Sequence, residues 1–132
     1  MDTAIIEPEP ELRLRLIPAA DDSPLSSQEY QRELADFAKS LRAQGIRSSA
    51  RAFSFDAEGA VGGLSGEFTL IVTAIAPIVT GVAGAAGAWL HAKYGRKMRV
   101  KFRDVEIEAP TLDELQKALH LVEESLRRTE PR

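Results

Sequence analysis

The stretch from Phe68 to Leu90 reads FTLIVTAIAPIVTGVAGAAGAWL and contains no charged side chain over its 23 residues, although 28% of this 132-residue chain is charged. A helix on the surface of a water-soluble domain needs a polar face, and this stretch has none. It must therefore be covered by the rest of the domain, by another copy of the chain, or by lipid. The predicted fold is built around this requirement.

As a single helix over about residues 67–94, the stretch would carry two different seams on its surface. Mostly large side chains recur at spacings of three and four residues, namely Ile71, Ile75, Ile78, Val82, Ala85 and Trp89. Small and hydroxyl side chains recur at the same spacings, namely Thr69, Thr73, Ala76, Thr80, Ala83 and Gly87. We expect the bulky seam to face the domain's own sheet and the small seam to let another backbone approach closely. Pro77 predicts a kink or break, because it removes a helical hydrogen bond.

Strands and helices are predicted on both sides of this stretch. Leucine alternates with charged residues in ELRLRLI, which predicts a half-buried strand, and the predicted strands are residues 11–17, 46–55, 97–103 and 105–109. The last two are expected to form a hairpin through Arg103-Asp104. Helices over 27–43 and 111–127 are expected to begin at capping boxes opened by Ser26 and Thr111. Residues 56–66 contain four glycines and are expected to be a loop, with Ser65 capping the central helix.

These elements predict one α+β domain over residues 11–128, with a four-stranded mixed sheet and three helices in the order β-α-β-α-β-β-α. Residues 1–10 are rich in acid and proline and are expected to be a tail, as are residues 129–132. The chain has no cysteine, which excludes disulfides and cysteine-ligated zinc. Its beginning lacks the basic start and apolar run of a signal peptide, so we expect a cytoplasmic protein.

No arrangement of residues in the sequence predicts catalysis, a cofactor or a metal. His91 and His120 are the only histidines, and neither is framed by a close pair of carboxylates. The segment Gly63-Leu64-Ser65-Gly66 misses the spacing of a nucleophile elbow by one residue. The glycines of the apolar stretch lack the dinucleotide-binding spacing. We therefore expect a protein without enzymatic activity, catalytic residues, cofactor or metal.

A basic cluster follows the apolar stretch, with six positive charges and no acid between residues 93 and 103. The candidate anion contacts in it are Lys93, Arg96, Lys97, Arg99 and Lys101. Alternating cations are also typical of an exposed sheet face, where Glu106 and Glu108 on the next strand would offset them. Only Tyr94 is available for base stacking, so we do not expect nucleic acid to be a partner.

The order strand, helix, strand is followed by the glycine-rich GGLSG, and then by a long small-residue helix that closes with Ala88-Trp89-Leu90 and the basic cluster. The segment RVKFRDVEIEAPTLDELQKAL then supplies a hairpin and a last helix. This plan resembles the effector-associated constant component family of bacterial conflict systems, over nearly the whole chain apart from the acidic tail. The family motifs include no catalytic or metal signature, and the central run here is more evenly apolar than the family pattern.

The resemblance implies a non-enzymatic component of antiviral defence that links detection of an invader to activation of a protease-like or caspase-like effector. The residues add that self-association, giving a homo-oligomer, or effector docking would use the small side chains of the central helix. The expected contact residues are Thr73, Ala76, Thr80, Ala83, Gly84 and Gly87. The alternative is a small membrane protein that perturbs the bilayer, because about 20 apolar residues are enough to span it; membrane association thus stays open at this point.

Overall fold

The computed structural model describes residues 11–53, 63–71 and 75–129, which form five strands and three helices in one α+β fold. In chain order the elements are β1 (Glu11–Ile17), α1 (Gln28–Ala43), β2 (Ser48–Phe53), β3 (Gly63–Ile71), α2 (Ile75–Ala92), β4 (Lys97–Phe102), β5 (Val105–Ala109) and α3 (Leu112–Thr129). The predicted α+β class and the three helices are confirmed. The prediction of four strands is wrong, because β3 was not expected.

The sheet has the order β2-β3-β1-β4-β5, and all four strand pairings are antiparallel. The prediction of a mixed sheet is therefore wrong. β1 lies at the centre, between β3 and β4, although it is the first strand in the chain. The β4–β5 hairpin is confirmed, since Phe102 pairs with Val105 across the two-residue turn.

The uncharged stretch is divided between a strand and a helix, so the prediction of one long apolar helix over 67–94 is wrong. Its first residues end β3, where aromatic and β-branched side chains suit a pleated strand that pairs on both edges. α2 begins only at Ile75 and has 18 residues. Pro77 therefore lies in the first helical turn, where the missing N–H would have no helical partner in any case.

Three local predictions around the helices are corrected or confirmed. Gly63 to Gly66 belong to β3 rather than to a loop, and Ser65 caps no helix; its hydroxyl donates to the Arg51 carbonyl on β2 at 2.9 Å.

α1 is capped by Ser27, one residue later than predicted, through a 3.1 Å bond from the Tyr30 N–H. Thr111 caps α3 as predicted, accepting from the Glu114 N–H at 3.2 Å. The remaining residues of the predicted loop, and the predicted tail of residues 1–10, lie outside the described residues.

One face of the sheet is covered by the helices and forms the core. Alternate residues of β1 and β4 are fully buried there, as are side chains of all three helices. α2 packs between α1 and α3. The opposite face of the sheet bears the charged residues of the same strands, and no described element packs against it; we call it the open face. The described part of the chain thus forms two layers, a sheet and three helices on one of its faces.

The length and apolarity needed to cross a bilayer are not combined in any helix of the described residues. The membrane-spanning helix that the sequence left open is therefore not found in this part of the chain. Residues of both the strand part and the helix part of the uncharged stretch lie in the protein core, whereas Thr80, Gly84 and Ala88 are exposed.

Candidate functional site

The outer face of α2 exposes four small residues at intervals of four residues. These are Thr80, Gly84, Ala88 and Ala92, which we call the small-residue row. The opposite face of α2 buries Ile78, Val82 and Trp89, so this part of the bulky seam faces the core of the domain. Ile71 lies in β3 instead, and the side chain of Ile75 lies outside the described residues. A groove of about 260 Å³ between α1 and α2 borders the row at Ala88 and Ala92.

The residues predicted to form the contact surface are only partly brought together. Thr80 and Gly84 lie in the row, and Ala83 is half-buried beside it. Gly87 is buried against α3. The side chain of Ala76, and all of Thr73, lie outside the described residues. The exposed surface therefore runs toward Ala88 and Ala92, which the sequence analysis did not select.

The three glycines of α2 differ in what surrounds them. A Cβ on Gly81 would lie 2.7 Å from Ile46 Cδ1, and one on Gly87 would lie 3.3 Å from Leu112 Cδ2, so both glycines permit close packing inside the domain. A Cβ on Gly84 would meet no described atom within 4 Å. A glycine inside a helix costs about 1 kcal/mol relative to alanine. Packing within the described domain gives no reason for this cost at Gly84.

The open face of the sheet contains a shallow depression of about 270 Å³ lined by five cations and two carboxylates. The residues at the middle of this depression are neighbours across four adjacent strands. Arg13 on the central strand lies opposite Thr69 on β3 and Lys101 on β4, and Lys101 lies opposite Glu106 on β5. Arg13 and Lys101 are both exposed, and neither forms an ion pair with another described residue. We call these two residues the cation pair.

The neighbouring row of the open face pairs four cations with two carboxylates. Glu67 contacts Arg15 at 3.9 Å and Arg51 at 3.6 Å. Glu108 contacts Arg99 at 3.0 Å and Lys97 at 3.4 Å. The hydrogen bond from Arg99 holds the pKa of Glu108 below its usual value, with Lys97 adding to the effect. Among the cations that line the depression, Arg13 and Lys101 are thus the two that form no ion pair with a described residue.

The five candidate anion contacts are spread over three environments. Lys101 belongs to the cation pair, whereas Lys97 and Arg99 are engaged by Glu108. Lys93 is half-buried in the connection between α2 and β4. Arg96 is buried, with only 3% of its surface exposed, and is held inside the domain. The structure thus brings one of the five to the middle of the open face.

Arg96 is the hub of a buried polar cluster that joins the helical layer to the start of β4. Its Nε and Nη2 donate to the two carboxylate oxygens of Asp22 at 3.1 and 2.8 Å. Nη2 also donates to Glu33 on α1 at 2.9 Å, and Nη1 donates to the Trp89 carbonyl at 3.0 Å. The guanidinium carbon lies 4.7 Å from the centre of the Trp89 ring. These contacts make Arg96 a structural residue.

Burial and hydrogen bonding shift the pKa values of residues in and beside this cluster. The hydrogen bond from Arg96 lowers the pKa of Asp22 despite its burial. Burial by itself lowers the pKa of Arg96, but the hydrogen bonds to Asp22 and Glu33 raise it by more, so the net shift is upward. Burial raises the pKa of Tyr30 to about 12, with a further increase from the charge of Asp22. The Tyr30 hydroxyl and the Trp89 Nε1 are buried and have no hydrogen-bond partner among the described residues.

Sequence reasoning missed Arg13 and Arg15 as neighbours of the basic strand, and it missed Asp22 as the partner of Arg96. The alternation of cations along β1 and β4 was visible, but their adjacency depends on strand order. For Asp22 and Arg96, which are 74 residues apart, the sequence carries no local signal.

The described residues contain no group of three or more His, Cys, Asp or Glu side chains placed to hold a metal ion. Comparisons with protein-family models, with curated proteins and with solved structures gave no match to this chain.

Proposed function

We propose that this protein is a non-enzymatic assembly component of a bacterial conflict system, acting in the cytoplasm to link detection of an invader to activation of a protease-like or caspase-like effector. The system and the effector class come from the resemblance of the sequence plan to the effector-associated constant component family. The mode of action, self-association through the outer face of α2, is supported by the geometry of the helical layer.

The observation that carries the proposal is the environment of Gly84. This glycine lies within the small-residue row, on an exposed helix face, and no described atom lies within 4 Å of the position of its missing Cβ. Alanine there would stabilise the helix by about 1 kcal/mol. A closely approaching second backbone supplies a reason for glycine that the described domain does not, because small side chains set the distance between packed helices.

A second copy of this chain is the occupant that the row fits best. No charged residue occurs from Ile75 to Leu90, so two copies of α2 would meet without opposing like charges. A two-fold axis between Gly84 and Ala88 would place Thr80 of one copy opposite Ala92 of the other in a self-complementary contact. Four small side chains supply only part of the roughly 800 Å² per partner of a standard interface, so we expect assembly to depend on protein concentration.

Replacement of Gly84 by leucine tests the proposal. Gly84 is exposed, and a Cβ added to it meets no described atom within 4 Å, so the fold should be retained. In the assembly the leucine side chain would separate the two helices. Sedimentation velocity over a concentration series should show a monomer–oligomer equilibrium for the unchanged chain and a monomer for Gly84→Leu.

Ala35→Leu provides the matched control, because it makes a small-to-large change at an exposed position of α1 away from the row. Its oligomeric state should equal that of the unchanged chain, and far-UV circular dichroism should be the same for all three proteins. An oligomer that survives Gly84→Leu, or an unchanged chain that is monomeric at every concentration, would remove the proposed mode of action.

The effector part of the proposal needs a separate reconstitution. The cleavage of a fluorogenic peptide by a protease-like effector from the same genome should rise when the unchanged chain is added and should not rise with Gly84→Leu. Equal activation by both proteins would show that assembly through α2 is not the route to the effector.

A further inference from the structure

A site on the open face of the sheet is independent of the row on α2. Arg13 and Lys101 lie directly opposite each other in register on the two adjacent strands β1 and β4. Residues opposite each other in an antiparallel pair have Cβ atoms about 5 Å apart, and like charges placed in this way destabilise the pair. Thr69, the partner of Arg13 on its other side, brings no charge that would compensate.

The acids near the cation pair are engaged elsewhere or do not reach it. Glu106 lies opposite Lys101 on β5, but the two side chains form no ion pair. Glu67 and Glu108 are shared among cations of the neighbouring row. Within the described residues, the depression therefore presents two adjacent cations that form no ion pair, although the Glu106 carboxylate is the cross-strand neighbour of Lys101.

We propose that the cation pair forms a binding site for a compact dianion of phosphate-monoester chemistry, carried by a small molecule or by a phosphorylated side chain. A phosphate monoester has nearly two negative charges at neutral pH and several acceptor oxygens. It neutralises both cations at once, whereas a single carboxylate leaves one charge uncompensated. The guanidinium donates a forked pair of hydrogen bonds and the ammonium acts as a point charge, and both suit phosphate.

The open face fits a compact anion better than a nucleic-acid strand. A strand carries one charge per phosphate and would continue from the cation pair across the acids that border it on β3 and β5. Binding of single strands also relies on aromatic rings that stack on bases. No aromatic side chain is among the described residues of β1, β3, β4 and β5 whose side chains face the open side of the sheet.

The test uses the full chain with O-phosphoserine as the probe, and with serine plus sodium chloride at matched ionic strength as the reference. Isothermal titration and thermal unfolding should both detect phosphoserine and not the reference. Lys101→Gln should weaken phosphoserine binding about tenfold or more, which corresponds to losing one hydrogen bond to a charged group. Lys101→Arg should retain binding.

Lys39→Gln is the control for net charge, because Lys39 is exposed on α1 in the helical layer; it should bind phosphoserine as the unchanged chain does. A second readout separates the site from a structural role. Without ligand, Lys101→Gln should unfold at the same temperature as the unchanged chain or at a higher one, because the opposition to Arg13 is relieved. A structural lysine would give the opposite shift.

A peptide that contains one phosphoserine distinguishes the two sources of the phosphate. Tighter binding than to phosphoserine itself indicates a phosphorylated protein segment, and equal binding indicates a small molecule; both outcomes support the site. The proposal is overturned if Lys101→Gln binds phosphoserine as the unchanged chain does, or if serine and chloride have the same effect. It is also overturned if single-stranded RNA binds more tightly than phosphoserine and loses that binding in Lys101→Gln.

Discussion

Replacement of Arg96 by methionine is expected to destabilise the fold by about 3–5 kcal/mol, the usual cost of removing one partner from a buried ion pair. The Arg96 side chain is 2% exposed and that of Asp22 is 4% exposed. The substitution leaves the Asp22 carboxylate buried with only its 2.7 Å bond from the Ala19 N–H. It also removes the donor to the Trp89 carbonyl. A loss of this size is a large part of the 5–15 kcal/mol that typically stabilises a domain.

The two acidic partners of Arg96 should give graded losses. Glu33→Gln should cost at most about 1 kcal/mol, because the Glu33 side chain is 37% exposed and water replaces part of its role. Asp22→Asn should fall between this value and that of Arg96→Met, since the guanidinium keeps Glu33 and the Trp89 carbonyl. A double-mutant cycle between Arg96 and Asp22 should show a coupling energy well above that between Arg96 and Glu33.

Urea unfolding followed by far-UV circular dichroism measures these free energies. Emission from Trp89, the only tryptophan, reports the same transition beside the substituted residue.

The pKa of Asp22 is lowered in the folded chain, so the contribution of Asp22 to stability is complete above the unfolded value of about 3.9 and is lost as the pH falls through the folded value. Asp22→Asn should lack this part of the acid dependence. A cost of less than about 1 kcal/mol for Arg96→Met would refute the reasoning, since it would mean that water reaches the cluster.

Three further outcomes are expected. Gly84→Ala should raise the stability of the monomeric chain in urea by about 1 kcal/mol, whereas Gly81→Ala should lower it, because its Cβ would lie 2.9 Å from Gln44 Cβ and 2.7 Å from Cδ1 of the buried Ile46. Tyr30→Phe should leave the free energy of unfolding unchanged or raise it, because the hydroxyl is buried without a partner in the described residues. In the unchanged chain, stability should decline between pH 10 and about 12, since the unfolded chain loses the Tyr30 phenol proton first; thermal unfolding of Tyr30→Phe over this range should lack that decline. Ser27→Ala should lower the thermal unfolding temperature through a loss of about 1 kcal/mol at the cap of α1.

The pattern of residues in α2 predicts its buried face better than its exposed face. The bulky seam of α2 was predicted correctly over its helical part, because large apolar side chains at helical spacing must be buried wherever the helix lies. The exposed row was predicted only in part. Gly87 shares the small size of its neighbours, but α3 packs against it and takes it out of the surface. Small residues suit contacts inside a domain and contacts between copies equally well, so only the position of α3 distinguishes the two.

Elements with a strong local pattern were predicted correctly from the sequence: the alternating strand β1, the hairpin of β4 and β5, and the amphipathic helices α1 and α3. The uncharged stretch is buried in part, as its composition requires. The tertiary structure decided how that stretch was divided, because a strand within a sheet and a helix against one both satisfy the same need for burial. It also decided that Arg13 stands opposite Lys101 and that Arg96 reaches Asp22. These pairings join segments distant in the chain, and their energy depends on strand order and packing, which no local pattern specifies.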